Sequence, residues 1–172
     1  MRKLLDPAQR KWLALAFAVI VADHLTKFWV SATLDYHAFV PVLPFFSLVL
    51  VHNTGAAFSF LADAGGWQRW FFIAVGVVAT VVIVRLLRRH AHEPRLALPL
   101  ALVLGGALGN VIDRALLGYV VDFLYFHYKS FAWPAFNVAD MAISVGAALL
   151  IWDSLTGKHA PGADKPASKG AP

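Results

Sequence analysis

The chain of 172 residues contains no cysteine, which excludes a disulfide framework and any thiolate metal site. Charge is scarce as well: 15% of the residues are Asp, Glu, Lys or Arg, against 59% hydrophobic. With a mean hydropathy of +0.65, that balance excludes an ordinary soluble domain and indicates a membrane protein. The 31–66 segment lacks Lys and Arg altogether. A net charge of +5 is compatible with nucleic acid, but the cations flank apolar runs instead of forming a patch, so no nucleic-acid partner is expected. No internal repeat or second domain is visible, and residues 1–155 read as one integral-membrane unit.

Crossing a hydrocarbon layer of ~30 Å takes roughly 17 to 25 helical residues. Four stretches qualify, at about 12–30, 67–84, 96–112 and 136–152. The first is too long for the core of a cleavable signal peptide and is interrupted by Asp23, His24 and Lys27, so it is expected to be retained. Arg2, Lys3, Arg10, Lys11, Arg85, Arg88, Arg89, Arg95, Lys158, Lys165 and Lys169 all fall on one side of the spans, a bias that places both termini in the cytoplasm. Trp67, Trp70 and Trp133 then lie where an outer aromatic belt is expected. The 156–172 tail, rich in Pro, Ala, Gly and Lys, has nothing to bury and reads as a disordered cytoplasmic tail.

The outward segments are too apolar to float in water. Phe45 to Val51 favours a strand, His52 to Gly55 a turn, and Ala56 to Leu61 a short amphipathic helix. "YVVDFLYFHY", Tyr119 to Tyr128, has similar β-branched and aromatic character and can pair with the first segment. The fold class is therefore an all-α membrane protein of four transmembrane helices with a small β element, a cradle on the outer face lying against the leaflet.

Ionisable groups within spans are costly and each needs a reason. Asp23 and Lys27, four apart, share a helical face as an ion pair, or else Lys27 meets a lipid phosphate or a substrate carbonyl. Asp113 and Arg114 read as a salt-bridging cap at the end of the third span. Asp122 and Asp140 have no basic partner at helical spacing, and both belong to the outer mouth of the bundle. Two carboxylates meeting in a poorly hydrated site tend to share one proton and can do acid and base work together. Alternatively each accepts hydrogen bonds separately, from backbone or from Asn110 and Asn137. His24, His37, His52 and His127 show no ligand spacing on a common face, so no metal is expected. The glycines of "LGGALGN" allow close helix approach. A transporter would place its acids near the midplane, commonly with repeat symmetry, and a scaffold gives no reason for unpaired acids.

Taken together, "DHLTK" (Asp23 to Lys27), "HNTGAAFSF" (His52 to Phe60), "GGALGNVIDR" (Gly105 to Arg114), "GYVVDFLYF" (Gly118 to Phe126) and "FNVAD" (Phe136 to Asp140) resemble the bacterial lipoprotein signal peptidase family, signal peptidase II, in order over nearly the whole chain. The resemblance implies a membrane aspartic endopeptidase that needs no cofactor and whose partners are diacylglyceryl-modified prolipoproteins and membrane lipids. It would cut on the amino side of the lipidated cysteine. The family's catalytic aspartates map onto Asp122 and Asp140, and its other polar positions onto Asp23, Lys27, Asn53, Gly55, Asn110, Asp113, Arg114 and Asn137, expected to position substrate or support the site. A self-contained site on four spans implies a monomer in the cytoplasmic (inner) membrane, with its active site at the outer face.

Overall fold

Proline opens two of the four long helices. Pro7 starts α1 (Pro7–Thr33) and Pro94 starts α3 (Pro94–Leu116), positions where a missing N–H leaves no helical hydrogen bond unmade. In the computed structural model, which describes residues 6–55 and 65–156, these are joined by α2 (Trp67–Arg89) and α4 (Val138–Leu155). All four are long and apolar enough to cross a membrane. Each overlaps an expected span; the first and third extend past it at both ends, and the second continues through Arg85 and Arg88 to Arg89: the helical ladder continues into the interface, where Arg and Lys stems can reach headgroups while their backbone stays helical. The fourth starts later than expected, because Asn137 caps the helix from outside it.

Helix α3 is the axis of the bundle. Its span is 56% buried, against 11% for α2, and it packs against the other three helices. Glycine makes this possible, because a Cβ at Gly105 would lie 2.6 Å from the Ala16 carbonyl oxygen of α1, and one at Gly106 would collide with the Ala139 carbonyl of α4. At the end of the bundle away from the sheet, Trp12, Ala16, Ile83, Leu87 and Leu104 form a core, and the Trp12 indole donates to the Ala91 carbonyl at 2.8 Å.

The other end carries one antiparallel sheet in the order β1 (Phe39–Leu43), β2 (Phe46–Asn53), β3 (Val120–Tyr128) and β4 (Phe131–Ala132). The two β-favouring segments do pair. Strand β2 extends to Asn53, so His52 and Asn53 end a strand instead of opening a turn, and Asp122 lies within β3. Strand alternation then sorts the side chains. Val121 and Phe123 pack with Val30 and Leu50, seating β3 on the end of α1, while Asp122 faces the opposite side. The Ala56 to Leu61 helix and the tail beyond residue 156 lie outside the described residues.

Candidate active site

Three pieces of backbone bring Asp122 and Asp140 to one place. An extra residue in β2 shifts its register between Leu48 and Val51, opposite Leu124 and Asp122, and such a bulge re-aims the neighbouring side chains. Phe136 bridges to Leu124, its carbonyl accepting from both Phe123 N at 3.0 Å and Leu124 N at 2.9 Å, so the chain enters α4 tied to β3. The Asn137 side-chain oxygen then accepts from Asp140 N at 2.9 Å, and the Asp140 carboxylate from Asn137 N at 3.4 Å, a reciprocal cap holding Asp140 on the first turn. From α1, Asp23 Oδ1 accepts from Ala139 N at 2.8 Å and satisfies another amide of that turn.

Each carboxylate receives asparagine amides. Asp122 accepts from Asn137 Nδ2 at 2.7 Å and from Asn53 Nδ2 at 3.1 Å, and Asp140 accepts from Asn110 Nδ2 at 2.7 Å. The orientation of those amides is dictated by their other ends. Asn110 Oδ1 accepts from Lys27 Nζ at 3.1 Å and from Asn137 Nδ2 at 3.4 Å, so its NH2 must turn to Asp140. Lys27 in turn is held between Asp23 at 2.7 Å and Asp113 at 2.8 Å.

Asp122 is 3% exposed. Burial, with the charge of Asp140 beside it, pushes its carboxyl up to about 7, against the amides of Asn53 and Asn137 and the more distant charge of Lys27. Asp122, Asp140, Asn53, Asn110 and Arg114 line a common groove of about 940 Å³, walled by apolar residues that include Phe39, Tyr125 and Ile143. A buried acid pair that shares a groove and can hold a proton near neutral pH is equipped for acid and base chemistry on a neutral substrate.

All ten residues singled out from the sequence meet in this network. One expected partnership is wrong: Asp113 and Arg114 do not form the expected salt bridge. Successive helical residues point about 100° apart, so Asp113 turns to Lys27 and also accepts from Val121 N at 3.3 Å, while Arg114 donates to the Gly55 carbonyl at 2.7 Å and the Asn110 carbonyl at 3.2 Å. Gly55 N closes the turn onto Asn53 Oδ1 at 3.0 Å. His24, weighed from the sequence only as a metal ligand, brings Nε2 within 3.6 Å of Asp113 Oδ1. Ser144, which the sequence reading does not single out, lines the groove one turn from Asp140; its four-residue spacing is the available signal. Among the described residues no group of three or more His, Asp or Glu is placed to hold a metal.

Known proteins match this chain in sequence and in shape. The family described as "Signal peptidase (SPase) II" matches residues 15–156. A lipoprotein signal peptidase of Burkholderia mallei (strain SAVP1) is 58% identical over 144 residues, 84% of this chain and 87% of that one. Another, from Paraburkholderia phymatum, is 56% identical over the same shares. A solved structure titled as a bacterial membrane enzyme superposes with a TM-score of 0.79 at 26% identity, covering 91% of this chain and 94% of its own. A second so titled gives 0.75 at 28%, covering 86% and 94%. With the family matched across both aspartates and all four helices, the chain belongs to the signal peptidase II family.

Proposed function

We propose that this protein is an aspartic endopeptidase whose catalytic pair is Asp122 and Asp140, and that it cuts diacylglyceryl-modified prolipoproteins on the amino side of the lipidated cysteine. Its family and its relatives make it a signal peptidase of prolipoproteins in the bacterial inner membrane, which removes the transporter and scaffold readings. The observation that carries the catalytic assignment is the pair itself: two carboxylates on one groove, joined through Asn137, one of them drawn up to about 7.

At rest Asp122, the more buried of the two, holds the shared proton and Asp140 is ionised. Asp140 takes a proton from a water lying between them, and the resulting hydroxide attacks the scissile carbonyl carbon. Asp122 gives its proton to the carbonyl oxygen as the tetrahedral intermediate forms. The C–N bond then breaks, Asp140 passes its proton to the departing cysteine amine, and Asp122 recovers the proton of the collapsing hydroxyl. Asn53 and Arg114, on the groove wall, supply donors for substrate carbonyls. Asp23, Lys27, Asp113, Asn110, Asn137 and Gly55 support the pair by the bonds described above.

The groove lies at the outer face and both termini are cytoplasmic. Arg10, Lys11, Arg85, Arg88, Arg89 and Arg95 support this orientation, since they sit at the helix ends away from the sheet. A monomer suffices, since one chain supplies every group used. Asp122→Asn and Asp140→Asn should each insert and fold yet lose about 10³-fold or more in cleavage rate, followed by gel shift of a diacylglyceryl-modified precursor. Substantial cleavage by a well-folded Asp140→Asn enzyme would remove the mechanism.

A further inference from the structure

On α4 the groove continues inward from Asp140 along Met141, Ile143, Ser144 and Val145. Ser144 is the polar member of that wall. It stands four residues from Asp140, about 6 Å further along the helix axis, on the side away from the sheet and towards the hydrocarbon.

A hydroxyl at such a depth needs a partner. Threonines in the helices of this protein find one at home: Thr26 donates to the Ala22 carbonyl at 2.8 Å, Thr33 to Trp29 at 2.8 Å and Thr80 to Gly76 at 2.8 Å. Ser144 does not do so. Among the described residues its hydroxyl has no hydrogen-bond partner; Ser144 is exposed and lines the groove. Ser31 and Ser154 also have no partner among the described residues, but they lie near helix ends, where headgroups and water can serve.

We propose that Ser144 is a specificity-determining residue that donates a hydrogen bond to an ester carbonyl of the substrate's diacylglyceryl group. This rests on the peptidase reading above. With the scissile bond at Asp122 and Asp140, the sulfur-linked glyceryl unit hangs from the cysteine towards the bilayer, and its first ester carbonyl reaches one helical turn inward. That carbonyl accepts hydrogen bonds and has left water behind. The flanking Met141, Ile143 and Val145 suit acyl chains and offer no side-chain donor, so the Ser144 hydroxyl alone on this wall distinguishes an ester from a plain hydrocarbon.

The test compares two synthetic precursors, one carrying a diester glyceryl group and one carrying the diether, which keeps the chains and lacks the carbonyls. Full-length wild type, Ser144→Ala, Ser144→Thr and Asp122→Asn are assayed in detergent, and again in vesicles of diester or diether phospholipid. Wild type should prefer the diester. Ser144→Ala should reduce that preference in kcat/KM about three- to tenfold, as loss of one hydrogen bond predicts, and Ser144→Thr should restore it. An unchanged preference in Ser144→Ala overturns the proposal. So does an effect that follows the vesicle lipid instead of the precursor, which would give the carbonyl to a bilayer lipid. Loss of both activities in Asp122→Asn separates this outcome from failure of the peptidase reading, in which Asp122→Asn would still cleave.

Discussion

Asp23 and Asp113 flank a lysine ammonium at 2.7 and 2.8 Å, whereas among the described residues the side chains that donate to Asp122 and Asp140 are asparagine amides. The two pairs share one network, joined where Lys27 meets Asn110. Their chemistry diverges because of what separates the acids. A cation fixed between two carboxylates balances their charge and ties together the helices that carry them. Neutral amides orient carboxylates without cancelling their repulsion, so burial and mutual charge drive a proton onto one of them. The first pair has the character of a structural clamp, and the second suits the reactive centre proposed above. Lys27 serves both, since it balances the clamp and turns the Asn110 amide towards Asp140.

Lys27→Met breaks the comparison most severely. It strands two buried carboxylates, Asp23 at 0% and Asp113 at 4% exposure, and removing one partner of a buried ion pair typically costs ~3–5 kcal/mol. Thermal unfolding of the purified variant should show a loss of that size. Replacing the whole clamp, Asp23→Asn with Lys27→Met and Asp113→Asn, should recover most of the stability while activity stays low, because Asn110 no longer has a cation to orient it. If Lys27→Met folds with wild-type stability, the clamp assignment is wrong.

Gly106→Ala strikes the reactive pair through packing. The added Cβ would collide with the Ala139 carbonyl and come within 2.8 Å of Ile143 Cγ1, both on α4. Overpacking of this kind costs about 1–3 kcal/mol. The shift moves Asp140 relative to Asp122, so kcat/KM should fall by more than the unfolding measurement alone accounts for. A stability loss with unchanged kcat/KM would mean that the position of α4 matters less to the pair than the Phe136 bridge does.

Much of this was legible in the residues. Long apolar runs dictate helices, and a helix spacing of four brings Asp23 to Lys27 without any knowledge of the fold. The motif resemblance brought Asn53, Asn110 and Asn137 to the same site. What stayed hidden depends on rotation and register. Neighbouring positions 113 and 114 look like a pair on paper, yet a helix points them apart. The bulge opposite Asp122 requires knowing which strands pair, and strand β1, exposed along its whole length, carries no burial pattern that would announce it. Amide orientation is a further step away, since it depends on a lysine in a different helix.

The smallest effect tests the asparagines directly. Asp122 is raised by burial and by Asp140, and lowered by the amides of Asn53 and Asn137. Asn53→Ala removes a donor that favours the charged form, so the carboxyl should keep its proton to higher pH. If Asp122 is the acid of the reaction, it sets the alkaline limb of the pH profile of kcat/KM near 7. In Asn53→Ala that limb should move upward by about half a unit to one unit, the equivalent of one hydrogen bond. A downward move would mean that water entering the vacated space outweighs the missing amide, so that burial alone governs the proton. A limb that does not move would give the proton to Asp140 and reverse the two acids' roles, leaving the clamp and the reactive pair distinct but exchanging acid for base within the second.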